Sequence, residues 1–151
     1  MASHAFSLRP ATADDQARIR ELIQEGNINP FGLDWERFTV AESSEGAVIG
    51  CGQIKPHRDG SQELASLAVT AAWRGQGVAR AIIEHYIQGH EGDLYLMCAS
   101  GVGPLYEKFG FEVIEEPDQM PRYFSRMSKI VEAVPRLLKR GRTLLIMKLV
   151  R

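Results

Sequence analysis

"WRGQGVAR", Trp73 to Arg80, sets an Arg and two Gly between an apolar run, Glu63–Val69, and an amphipathic run that begins at Val78. A strand leads in and a helix leads out. The plain reading of the glycines is a tight turn. The chemical reading is an anion site. The first turn of a helix offers free N–H groups and the positive end of its dipole. Gly75 and Gly77 let backbone approach a bulky anion, and Arg74 adds a charge at the mouth. These are the ingredients of a pyrophosphate site. The stretch is not a full G-x-G-x-x-G, because Arg80 takes the third glycine's place, and no G-K-[ST] follows to make a P-loop.

Working outward, "AFSLRPA" alternates and predicts a first strand. Thr12 and Asp15 make a T-x-x-D capping box, Ile19, Leu22 and Ile23 fall on one helical face, and Gly26 can end that helix. "NINPFGLDWE" predicts an irregular connection with one helical turn. Then "RFTVAE", "AVIGCGQIK" and "ELASLAV", parted by turns at Ser43–Gly46 and Asp59–Gly60, predict an antiparallel meander. Beyond the glycines, Val78, Ile82, Ile83, Tyr86 and Ile87 trace a helical face that Gly89 closes. "LYLMCAS" predicts a strand buried on both faces. "GPLYEKFG" predicts a short helix closed by Gly110, and "FEVI" and "TLLIMKLV" predict two more strands.

The chain has 151 residues, enough for one domain with a real core, and no linker or repeat divides residues 1–151. The net charge of −1 argues against bulk affinity for nucleic acid. That average hides an asymmetry: Arg122–Arg142 holds seven Lys/Arg against one Glu, a local +6 that leaves −7 elsewhere. Cys51 and Cys98 lie apart in apolar runs and predict small buried thiols, with no metal site among the scattered His and Cys. His57 and His85 are expected to be solvated. No window reaches the length of a bilayer span and "MASHAFSLRP" lacks the apolar core of a signal peptide, so a cytoplasmic setting without membrane contact is expected.

R-x-x-G-x-A at Arg74–Ala79, behind "LAV" and ahead of an apolar helix, resembles the acetyl-CoA signature of the GNAT superfamily of N-acetyltransferases. "PLYEKFGFEVI" resembles that family's downstream segment, in which a helical Tyr precedes a Gly-Phe pair. The resemblance covers Phe6 to about Ile114 and resumes at Thr143–Val150. It implies an α+β fold with a mixed, mostly antiparallel central sheet flanked by helices. Acetyl-CoA is the implied co-substrate and a small-molecule amine the implied partner, with room for a homodimer.

Site roles follow from the resemblance residue by residue. The backbone of Leu67, Ala68 and Val69 would pair with the pantetheine arm, as an added strand does, and an N–H near Leu67 would polarise the thioester carbonyl. Arg74, Gly75, Gln76, Gly77, Val78 and Ala79 would cradle the pyrophosphate. Tyr106 matches the tyrosine that protonates the departing thiolate. Ser100 and Gly101 stand where the family often has a cofactor-contacting Asn. Some relatives place a base where Glu63 stands, and the two-residue period puts Glu63 on the side of Leu67 and Val69.

The segment from about 118 to 142 exceeds what most chains of this family carry before the last strand. Tyr123, Phe124, Met127, Ile130, Val131, Val134, Leu137 and Leu138 make a helical stripe, interrupted or restarted at Pro135, opposite Arg126, Lys129, Arg136, Lys139 and Arg140. A solvated basic face is the plain reading, and attraction of a carboxylate is the sharper one. "DQMPRYF" would set Arg122 or Tyr123 over the acceptor pocket. The expectation is an acetyl-CoA-dependent N-acetyltransferase working by direct transfer in a ternary complex, on an amino acid or other small amine. The alternatives are acetylation of a protein N-terminus or lysine, and an acyl-CoA-binding module without catalysis.

Overall fold

Strand β1 (Phe6–Pro10) runs antiparallel to β2 (Phe38–Ser43), with Phe6 opposite Ser43 and Pro10 opposite Thr39. The capping box forms as the sequence predicts: Thr12 and Asp15 satisfy each other at a single 3-10 turn that opens α1 (Gln16–Glu25). Gly26 follows α1 with an ordinary right-handed φ of −81°, and Asn27 takes the left-handed position at φ +54°. The computed structural model describes residues 5–134 and 142–151. These divide into two compact units: Lys55 and the residues before it with Leu64–Glu91, and Pro56–Glu63 with Gly92–Arg151.

In the first unit, α1 buries Ile19, Leu22 and Ile23 against Phe38, Val40, Cys51 and Ala68. Each such aliphatic side chain contributes about 1.5–3 kcal/mol of burial. Strand β3 (Val48–Pro56) pairs antiparallel with β2, with a register shift between Ala41 and Glu42, and β4 (Gln62–Val69) lies beside β3. Helix α2 (Val78–Gly89) sits close against β3 because Gly50 and Gly52 carry no side chain there. A Cβ at either would come within 2.8 Å of Val78 or Ile82. Tyr86 completes the clamp: its hydroxyl accepts the Thr39 N–H at 3.0 Å and donates to the Gly52 carbonyl at 2.8 Å.

The second unit starts from the first residues of β4. Strand β5 (Tyr95–Ala99) runs parallel to them, Tyr95 opposite Glu63, and antiparallel to β7 (Leu144–Leu149) on its other side. Strand β6 (Phe111–Val113) pairs antiparallel with the far edge of β7, so the last strand in sequence lies between β5 and β6. Leu94, Tyr95 and Leu96 are buried, whereas Met97, Cys98 and Ala99 are half-buried. The expectation of burial on both faces therefore fails over the second half of β5, and Cys98 is less enclosed than predicted. Helices α3 (Gly103–Glu107) and α4 (Arg122–Ala133) complete the unit. Among the described residues, seven strands, mostly antiparallel, and four α-helices give the mixed α+β architecture the sequence predicts.

Helix α4 realises the start of the predicted helical excursion. Of its apolar stripe only Phe124 is fully buried, packed with Tyr95 and Ile146, while Ile130 is 48% exposed. Pro135, Arg136, Leu137, Leu138, Lys139 and Arg140 lie outside the described residues. Among the described residues no helix is long and apolar enough to cross a membrane.

Candidate active site

The glycine-rich turn belongs to the first unit. A 3-10 turn at Ala71–Trp73 and a turn through Gly77 deliver the chain to α2. Gly75 and Gly77 have φ of +78° and +86°, and a Cβ at either would meet nothing within 4 Å. Packing therefore does not demand glycine here. The left-handed backbone does, since an L-side chain costs about 1–2 kcal/mol in that region. The first helical bond runs from the Ala81 N–H to the Gly77 carbonyl. The N–H groups of Val78, Ala79 and Arg80 precede it at the positive end of the helix. Residues 74–77 are exposed.

Neighbouring side chains brace this turn. Glu25 accepts the Ala71 N–H at 2.9 Å and lies 4.0 Å from the Arg74 guanidinium, whose Nε donates to the Val69 carbonyl at 3.3 Å. Gln76 donates to the Ala72 carbonyl, which makes its side chain a brace for the turn.

Within β4, Ser66 adopts φ +57°, a left-handed conformation in the middle of a strand. Buried partners hold it there. The fully buried Gln53 donates to Ser66 Oγ at 2.8 Å and to the Gly32 carbonyl at 3.0 Å, while Arg37 donates to Gln53 Oε1 at 3.1 Å. A serine gives no sign of this in the sequence.

In the second unit, Tyr106 lies on α3, half-buried, with its ring edge 6.0 Å from Phe111. Burial, reinforced by nearby Cys98, pushes its hydroxyl up to about 12. Ser100 is tied to the start of β7: its N–H donates to the Thr143 carbonyl at 2.8 Å, and its Oγ accepts the Thr143 N–H at 3.3 Å. Burial raises the Cys98 thiol to about 11. At pH near 8 only about one molecule in a thousand then carries the thiolate, the form that attacks carbonyls. Cys98→Ala is expected to keep the wild-type acetylation rate, and trapping of an acetyl-cysteine by mass spectrometry would contradict this.

Glu63 is 5% exposed, and its Oε1 lies 2.7 Å from His57 Nε2 across the hairpin that joins β3 to β4. The imidazole stacks on Tyr123, centroids 3.5 Å apart and planes within 13°, and meets Phe124 edge-on. Asp59, in the same hairpin, accepts the Tyr123 N–H at 2.8 Å and so caps the start of α4. The Ser61 hydroxyl and then the Tyr123 N–H are the main causes that bring the Asp59 carboxyl down to about 2. Burial and the negative charge of Glu63 together push the Tyr123 hydroxyl up. The expectation of a solvated His57 is thus overturned: its side chain is only 9% exposed. Its partner Glu63 sits across a short turn, which a register argument would find, but Tyr123 arrives from a distant helix.

A model of the acetyltransferase (GNAT) domain family matches residues 34–113. Among known proteins, the uncharacterized N-acetyltransferase YhbS of Escherichia coli (strain K12) is 29% identical over 125 residues, 79% of this chain and 71% of that one. Rv2747 from Mycobacterium tuberculosis, solved with CoA and NLQ, superposes with a TM-score of 0.72 at 23% identity, over 96% of this chain and 99% of that one. N-acetylglutamate synthase from Neisseria gonorrhoeae, solved with CoA and N-acetyl-glutamate, gives 0.69 at 20% identity over 97% of this chain. The chain spans only 35% of that Neisseria protein.

Proposed function

This chain belongs to the GNAT family of acetyltransferases, and on that premise we propose that it moves the acetyl group of acetyl-CoA onto a primary amine by direct transfer in a ternary complex. The observation that carries the reading is the exposed, left-handed glycine turn at the N-terminus of α2. Its amides from Gly75 to Ala79, with Arg74, suit a pyrophosphate. The backbone of Leu67 to Val69 pairs with the pantetheine arm, and an N–H near Leu67 polarises the thioester carbonyl. Ser100 contributes through its backbone or hydroxyl, beside its own partner Thr143.

In the chemical step the amine nitrogen attacks the acetyl carbon and gives up a proton, and the C–S bond breaks as the tetrahedral intermediate collapses. Glu63, steadied by His57, takes the amine proton directly or through one water. Tyr106 gives a proton to the leaving sulfur. Against a free thiol of pKa near 8.5, a phenol at about 12 faces a cost of about 5 kcal/mol. The surroundings that raise Tyr106 also raise its neighbour Cys98 to about 11. A departing thiolate in such surroundings is desolvated too, which narrows the gap. The acceptor we favour is a small amine bearing a carboxylate, such as an amino acid. The solved neighbours crystallised with N-acetyl-glutamate and NLQ support that preference.

Tyr106→Phe tests the acid. We expect kcat to fall about tenfold or more, read by CoA release. A raised pKa leaves the phenol protonated throughout the working range, so its supply of protons does not change with pH there. The ratio of wild-type to variant kcat is therefore expected to stay flat from about pH 7 to about pH 10. A ratio of one across that whole range would remove Tyr106 from the reaction.

A further inference from the structure

The second unit contains a cavity of about 540 Å³, a size that suits a small ligand, whose wall includes Arg58, Arg122 and Arg126 beside His57, Asp59 and Tyr123. We propose that this cavity binds the anionic group, carboxylate or phosphate, of the amine acceptor, with the three guanidiniums as its ligands. The inference rests on the transfer reading above and adds the place and the chemistry by which the acceptor is held.

What marks this cavity is the gathering of three unpaired arginines in one wall; Arg20 and Arg142 also lack a carboxylate partner among the described residues, but neither lines it. Arg9, Arg18, Arg37, Arg74 and Arg80 each hold a carboxylate within 4.0 Å. Arg58, Arg122 and Arg126 have no carboxylate within that distance among the described residues. Arg122 and Arg126 stand one turn apart on α4, a like-charge spacing that costs a helix a few tenths of a kcal/mol and that an anion lying between them relieves.

Among the described residues Asp59 is the only acidic one lining the cavity, and its oxygens are engaged: Oδ1 accepts the Ser61 N–H and hydroxyl, and Oδ2 accepts the Tyr123 N–H. It fastens the turn that carries Arg58 to the helix that carries Arg122 and Arg126. The stack of His57 on Tyr123 holds the same two elements together. The three arginines and Asp59 thus leave the lining a charge of +2 on a braced frame. His57 connects the cavity to Glu63 through the 2.7 Å contact. An acceptor whose anion rests on the arginines brings its amine towards the group that removes the amine proton.

The test separates binding from turnover. Succinate and inorganic phosphate are titrated calorimetrically into the full chain in low-salt buffer, with wild type, Arg122→Ala/Arg126→Ala and Arg58→Ala. All three side chains are exposed, and unchanged melting confirms folding. We expect one of the two anions to bind and its affinity to fall about tenfold or more in the double variant, while that for acetyl-CoA stays put. Preference for succinate identifies a carboxylate acceptor, and preference for phosphate a phosphorylated one. Millimolar anion that fails to bind wild type, or binds the double variant equally well, overturns the inference. Turnover is then compared for β-alanine against its amide and for phosphoethanolamine against ethanolamine. Acetylation of the neutral amines as fast as the anionic ones refutes the anion site and leaves the transfer reading intact. Arginine-dependent anion binding with no turnover of any amine refutes the transfer reading instead.

Discussion

Gly77→Glu is expected to weaken acetyl-CoA and CoA binding at least about a hundredfold while the chain stays folded. The backbone at Gly77 is left-handed, with φ of +86°. A side chain there costs about 1–2 kcal/mol of strain. For a domain of this size that lowers the melting temperature by a few degrees, about 2–4 °C per kcal/mol. The added Cβ meets nothing within 4 Å, so no clash unfolds the turn. What changes is the charge. A carboxylate at the mouth of the α2 N-terminus occupies the favourable field and repels a pyrophosphate. At about 4 Å and an effective dielectric near 20, that repulsion is worth about 4 kcal/mol before screening. A hundredfold loss needs only about 2.7 kcal/mol. Gly77→Ala carries the strain without the charge and is expected to bind with nearly wild-type affinity. Calorimetric titration of the three proteins checks both expectations. Equal affinity in wild type and Gly77→Glu would reduce the glycines to a turn.

Glu63→Gln is expected to lower kcat by about a hundredfold to ten-thousandfold, the range over which a positioned base acts, with little change in the affinity for acetyl-CoA. Glutamine has the shape of glutamate and can still hydrogen-bond the His57 ring, so the hairpin and the Tyr123 stack survive. It cannot accept the amine proton. Steady-state rates at saturating acetyl-CoA separate this loss from a binding defect. Wild-type kcat in Glu63→Gln would assign the proton to another group and leave the His57–Glu63 pair a purely structural contact.

Local signals carried much of this structure. The capping box at Thr12 and Asp15, the stripe Ile19, Leu22 and Ile23, and the hairpin turns near Gly46 and Gly60 all depend on residues a few positions apart, and all form. The glycine turn was legible for the same reason. Three features were not, because distant partners decide them. The left-handed Ser66 is held by Gln53, itself held by Arg37 and Gly32. His57 looked like a hairpin residue open to water until Tyr123 closed over it. Strand β7 reads from its sequence as a final strand, yet nothing in "TLLIMKLV" says that it enters between β5 and β6. The half-burial of Met97, Cys98 and Ala99 likewise depends on what lies over β5 and not on the apolar run itself.

One assay decides whether this chain catalyses acetyl transfer. Wild-type protein is mixed with acetyl-CoA and a panel of primary amines spanning amino acids, neutral amines and a lysine peptide. Free CoA is followed over time, and the products are weighed by mass spectrometry. CoA release is expected to depend on the amine and to match, mole for mole, an N-acetylated product. Acetyl-CoA that binds tightly yet yields neither CoA nor acetylated amine anywhere on the panel would contradict this expectation, and would make this chain an acyl-CoA-binding module.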